Sequence, residues 1–87
     1  MPHEREFMRY VYLLVSLSHS DQRYVGLTEN LQRRLIEHNA GKSPHTKKYA
    51  PWKCVVAVRF EDHAKAEAFE RYLKSGSGHA FAKRHLW

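Results

Sequence analysis

The stretch RYVGLTENLQRRLIEHN, Arg23 to Asn39, decides how the rest of the chain is read. It opens as a short strand, turns at a glycine, and continues as a helix from Leu31 to about Asn39 that Thr28 or Asn30 can cap. At about 100° per residue, Leu31, Arg34, Leu35 and His38 share one stripe of that helix, whereas Gln32, Arg33 and Glu37 point elsewhere. A guanidinium and an imidazole on the leucine side need a partner, a ligand or a solvated cleft. An unpaired ion withdrawn from water costs on the order of several kcal/mol, more than one core contact returns.

Working outward, Phe7 to Leu17 (FMRYVYLLVSL) is rich in aromatic and branched residues, with apolar side chains at both parities. That pattern predicts a central strand covered on both faces. HSDQ, His19 to Gln22, supplies turn chemistry, so Arg23 to Leu27 should return antiparallel beside it. Gly26, where the chain leaves this second strand, permits a turn or the close approach of a ligand. Gly41 marks the end of the first helix. KSPHTKKYAP, Lys42 to Pro51, reads as a basic loop, and WKCVVAVRF, Trp52 to Phe60, as a third strand. A second helix is predicted from about Asp62 to Lys74, stopped by SGSG (Ser75 to Gly78), with a short basic helix from about Ala80 to Trp87. The expected class is α/β in the α+β sense: a small, mainly antiparallel sheet of about three strands flanked by helices, in the order β-β-α-β-α-α.

At 87 residues the chain suffices for one small domain, spanning 1–87, and not for two. Apolar residues make up 43% of it, which fits a packed core and not a disordered tail. Lysine and arginine number 15 against 9 acidic residues, and the formal charge of +6 points to an anionic partner, nucleic acid before a membrane surface. The single cysteine, Cys54, rules out an internal disulfide and reads as a small core residue. Seven histidines without Cys-x-x-Cys or His-x-x-x-His spacing argue against a closed zinc site. No apolar run approaches the ~20 residues of a membrane span, and MPHEREF is too polar for a secretory signal, so a soluble, cytoplasmic protein is expected.

The second helix repeats the anomaly of the first. Ala66, Phe69 and Leu73 form its apolar stripe, Tyr72 flanks it, and Glu70 lies about 40° from Ala66 whereas Glu67 lies about 100° away. One of two neighbouring carboxylates is thus turned towards the sheet edge. A plain Arg34–Glu70 ion pair between the helices would explain both charges. Tyr12, in the first strand, and Tyr24, two residues before Gly26, can bring their hydroxyls to one face of the hairpin. Tyr10 and Tyr72 read as packing.

YVYLL (Tyr10 to Leu14), YVG (Tyr24 to Gly26), RRLIEH ending at His38 and AEAFE (Ala66 to Glu70) together resemble the GIY-YIG endonuclease superfamily. The nearest likeness is to its short stand-alone bacterial members, akin to the incision domain of the excision-repair nuclease. The resemblance implies a metal-dependent endonuclease acting on DNA in repair or recombination. Tyr12 and Tyr24 match the two motif tyrosines, one of them the general base for the attacking water, and Gly26 matches the turn glycine. Arg34, not Arg33, matches the arginine that steadies charge on the scissile phosphate. His38 matches a histidine that hydrogen-bonds near the base. Glu70, not Glu67, matches the carboxylate that holds Mg²⁺ or Mn²⁺. The helical-wheel reading selects the same arginine and the same glutamate. The sequence departs from the family pattern at Tyr10, where the first triplet lacks its glycine, at Leu27, where several relatives carry lysine, and at Ala82, where larger members have asparagine.

Lys42, Lys47, Lys48 and Lys53 surround the loop, and Lys74, Lys83 and Arg84 extend the positive charge towards the C-terminus. They are predicted to contact backbone phosphates, giving salt-sensitive affinity with little sequence information. The rival reading is a nucleic-acid-binding module that keeps the fold without catalysis. A further alternative is a subunit that works through a protein partner or a second copy of itself.

Overall fold

The computed structural model describes residues 9–87. It contains, in chain order, β1 (Arg9–Ser16), β2 (Arg23–Thr28), α1 (Leu31–Asn39), one 3-10 turn (Lys47–Tyr49), β3 (Trp52–Phe60), α2 (His63–Leu73) and α3 (Gly76–His85). The sheet order is β2-β1-β3 and both pairings are antiparallel, so the strand that is apolar at both parities is the central one. Phe7 and Met8, the predicted start of that strand, lie outside the described residues. At its other end β1 stops at Ser16, one residue short of the prediction. The Ser16 hydroxyl donates to the Tyr49 carbonyl at 2.7 Å and accepts from the His19 amide, and Leu17 is left exposed.

Alternation along β1 divides the molecule into two cores. Val11 and Leu13 face α2 and α3, where they join Ala66, Leu73 and Ala82. Tyr12 and Leu14 face the other way, against Trp52, Tyr24, Cys54 and the leucines of α1. β3 serves both cores despite its strict alternation of more and less exposed residues. Leu13 pairs with Val56 but Leu14 with Cys54, so Val55 is skipped and the register shifts. This irregularity turns Trp52 and Cys54 to the α1 side and Val56 and Phe60 to the α2 side.

The α1 cap is Asn30, whose side chain accepts from the Arg33 amide, while Thr28 completes β2. At its other end, Asn39 reaches β3. Its Oδ1 accepts from the Trp52 amide at 2.5 Å and its Nδ2 donates to the Trp52 carbonyl at 3.2 Å. The side-chain amide thus takes the place of a strand neighbour at the first residue of β3.

The SGSG segment corrects the sequence reading. It ends α2, but it also begins α3, which starts at Gly76 and not near Ala80. Ser75 is the reason, because its hydroxyl accepts from the Gly78 amide as an N-cap does. Gly78 is buried against the last turn of α2, where a Cβ would overlap the Tyr72 carbonyl. Tyr72 packs between Phe69 and Phe81, with 40% of it exposed. Among the described residues no helix is long and apolar enough to cross a membrane.

Asn39→Ala is expected to lower unfolding stability by about 1–3 kcal/mol, because it strands the polar groups of Trp52 at the start of β3. Urea denaturation checks this.

Candidate active site

The site is built on the α1 side of the sheet. Tyr12 pairs with Gly26 and Leu14 with Tyr24, so the two tyrosines are diagonal neighbours on one face of the hairpin. Their ring centroids are 6.3 Å apart. Gly26 lies within β2, and the space a Cβ would occupy is filled by the Tyr12 ring and hydroxyl. The close approach that this glycine allows is therefore that of a side chain of the same molecule.

His38 comes up beneath both rings from α1. Its centroid is 5.7 Å from that of Tyr12 and 5.1 Å from that of Tyr24. The Tyr12 hydroxyl hydrogen-bonds His38 Nε2 at 2.8 Å, and His38 Nδ1 bonds Thr46 Oγ1 at 2.6 Å. Tyr12 is 1% exposed, and His38 and Thr46 not at all. Thr46 is itself held in place, because Trp52 Nε1 donates to its carbonyl at 2.8 Å. Tyr24 is only half-buried.

Arg34 stands one helical turn before His38 and donates to Glu37 Oε1 at 3.0 Å. That contact, more than its neighbours, raises the arginine pKa and lowers the glutamate's, so both are charged. The charge of Arg34 also favours the ionised form of Tyr12. Burial outweighs it at Tyr12, whose pKa is pushed up to about 12. Burial, with the charge of Arg34 second, pushes His38 below the usual imidazole value. The buried pair is thus a neutral phenol on a neutral imidazole.

Glu70 makes no hydrogen bond or ion pair with these residues. It projects from α2, the helix packed on the opposite side of the sheet, and its carboxylate pairs with Lys74 one turn on. Its side chain is 18% exposed, against 49% for Glu67, which pairs with Arg9 at 3.7 Å. The ion pair between Arg34 and Glu70 that would explain both charges does not form, since each residue finds a partner on its own helix. Lys74 is thus engaged by Glu70. Lys42, Lys47, Lys48, Lys53, Lys83 and Arg84 are all exposed. Lys48 lies over the Tyr49 ring, 5.5 Å from its centroid. Sequence reasoning missed Thr46 and Asn39. A threonine in a lysine-rich loop carries no periodic signal, although a β-branched residue with no exposure is unusual company for four lysines.

A family model described as the GIY-YIG catalytic domain matches residues 8–83. The chain belongs to the GIY-YIG family. It is also 37% identical over 68 residues to the UPF0213 protein CPE1444 of Clostridium perfringens (strain 13 / Type A), an alignment covering 77% of this chain and 71% of that one. Membership in the GIY-YIG family supports a nuclease-type function with a nucleic-acid substrate. Nucleases of this family commonly use divalent metals. Among the described residues, however, no group of three or more His, Cys, Asp or Glu side chains could hold a metal ion.

Two outcomes follow from this geometry. Gly26→Ala is expected to cost about 1–3 kcal/mol by overpacking against the Tyr12 ring; a stability equal to the parent's contradicts it. The second concerns pH. The unfolded chain binds a proton at His38 near about pH 6.5, whereas folded His38 binds it only at lower pH. The stability contributed by the neutral ring is therefore complete above that value and is lost as pH falls through the folded pKa. Denaturation between pH 7 and 5 is expected to show a steeper loss of stability for the parent than for His38→Gln. Parallel curves contradict it.

Proposed function

We propose that this protein is a metal-dependent endonuclease that hydrolyses phosphodiester bonds in DNA, acting in repair or recombination. The observation that carries the reading is the buried Tyr12–His38 hydrogen bond with Arg34 and Tyr24 beside it, in a chain of the GIY-YIG family.

Chemistry divides the roles. A general base must reach the attacking water and release its own proton first. Tyr12 is buried, and its raised pKa keeps the proton on, so Tyr12 orients and Tyr24, half-exposed, is the base. Tyr24 first gives its phenol proton to solvent; the water oxygen then bonds to phosphorus as its proton passes to the Tyr24 oxygen, and the bond from phosphorus to the leaving oxygen breaks, that oxygen taking a proton from solvent. Arg34, held by Glu37, offsets the negative charge that builds on the phosphoryl oxygens.

Glu70 is the residue to hold Mg²⁺ or Mn²⁺. One carboxylate suits such hard ions when waters and a substrate phosphate complete the shell. A bound metal would add Lewis-acid polarisation of the phosphate. β2 is the sheet edge that both parts border, because Tyr24 projects from it and α2 packs on it. A phosphate crossing that edge is what we expect Glu70 to approach, releasing Lys74. The exposed lysines and Arg84 would hold the flanking backbone.

The Glu70–Lys74 pair also favours a second reading, a DNA-binding module in which the carboxylate is permanently neutralised. Nicking of supercoiled plasmid separates the two. With Mg²⁺, nicking is expected, lost on adding EDTA and in Glu70→Ala, and reduced by on the order of 10²-fold or more in Tyr24→Phe. Activity that survives both EDTA and Glu70→Ala overturns the metal assignment. Salt-sensitive DNA binding without turnover under any metal supports the binding module instead.

A further inference from the structure

The loop residue Thr46 has no role in the reaction outlined above, yet its hydroxyl is as deeply buried as His38 and hydrogen-bonded to it at 2.6 Å. We propose that Thr46 is a positioning residue. By accepting a hydrogen bond from His38 Nδ1–H it fixes the imidazole tautomer, and through that the direction in which the Tyr12 hydroxyl donates. The inference rests on the nuclease reading for its effect on rate, but not for its structural content.

The direction follows from what each partner can give. A neutral imidazole has one N–H and one bare nitrogen, so its two hydrogen bonds must run in opposite senses. The Tyr12 hydroxyl keeps its proton and hydrogen-bonds His38 Nε2 at 2.8 Å. The positive charge of Arg34, one helical turn before His38, acts on the same oxygen and favours lone pairs, not the proton, on its side, because a guanidinium donates only. The phenol proton therefore goes to Nε2, and Nδ1 carries the imidazole hydrogen and donates it to Thr46. The oxygen of Tyr12 is then free to accept from Arg34. In the other tautomer Nε2–H would point at the Tyr12 oxygen and turn its proton towards Arg34, donor against donor. The arginine that should meet the phosphate would be pushed away.

Thr46 is placed to hold this arrangement. Its carbonyl accepts from the Trp52 indole at 2.8 Å and from the Tyr49 amide at 3.2 Å, and its amide donates to the Ser43 carbonyl at 3.2 Å. Its backbone is thus fixed on both sides. Trp52 is in turn held by Asn39, the residue next to His38. The imidazole and its acceptor are therefore built into one closed piece of structure that joins α1, the loop and β3.

Thr46→Val keeps the shape and removes the acceptor, and Thr46→Ser restores it. The test combines ¹⁵N chemical shifts of the His38 ring at neutral pH with single-turnover and steady-state plasmid nicking. In the parent and in Thr46→Ser the protonated nitrogen is expected to be Nδ1. In Thr46→Val it is expected to move to Nε2 or to divide between the two. kcat of Thr46→Val should fall on the order of tenfold to a hundredfold with KM for DNA changed less than about twofold, and Thr46→Ser should recover most of the rate. A parent protein protonated at Nε2 overturns the inference by itself, even if Thr46→Val fails to fold. So does a Thr46→Val protein whose kcat matches the parent's, or a Thr46→Ser protein that behaves like Thr46→Val. A parent that nicks no DNA removes the nuclease reading but leaves the ring measurement to decide the tautomer.

Discussion

A phenol and an imidazole buried together must satisfy each other, because a polar group left without a partner away from water costs on the order of 1–3 kcal/mol. The Tyr12–His38 hydrogen bond meets that demand, and much of the surrounding structure is arranged to permit it. Gly26 leaves room for the Tyr12 ring, α1 turns the His38 side of its stripe to the sheet, and Thr46 closes the far end. Each element alone would be marginal in so small a domain. Joined through a buried polar contact, they accept one mutual placement and resist sliding.

That placement sorts the polar residues into two groups. Tyr12, His38 and Thr46 are sealed, neutral and held. Tyr24 and Arg34 stand beside them with part of their surface open to solvent. A reactive group needs access, and an orienting group needs rigidity; the two tyrosines of one hairpin divide these requirements because one faces the glycine and the other does not. Glu70 projects from α2, whose apolar residues join the opposite core. Its ion pair with Lys74 gives that half-buried carboxylate a partner of opposite charge.

Much of this was legible in the sequence where a residue's face was the question. The apolar run at both parities gave β1 its central place, and the wheel positions separated Arg34 from Arg33 and Glu70 from Glu67, in agreement with their burial. Family resemblance rested on the same residues and is confirmed by the match over residues 8–83. Periodicity says nothing, however, about which partner a charge takes. Arg34 and Glu70 could have met each other, and both instead found neighbours three or four residues away. Nor does it locate contacts made by loops: Thr46 and the Asn39 clasp depend on how KSPHTKKYAP folds back, and the skipped Val55 on how β3 divides itself between two cores. The start of α3 was missed because Ser75 caps one helix in the same turn that ends another.

The crystal structure of this protein with a duplex carrying a non-cleavable phosphate analogue, grown with Mg²⁺, tests the division of labour most directly. The analogue should lie against Tyr24 and Arg34 at the β2 edge, with the Tyr12–His38–Thr46 hydrogen bonds intact behind it and the Glu70 carboxylate turned from Lys74 towards the ion. A backbone bound across another surface, with Tyr24 and Arg34 untouched and Glu70 still on Lys74, would contradict it.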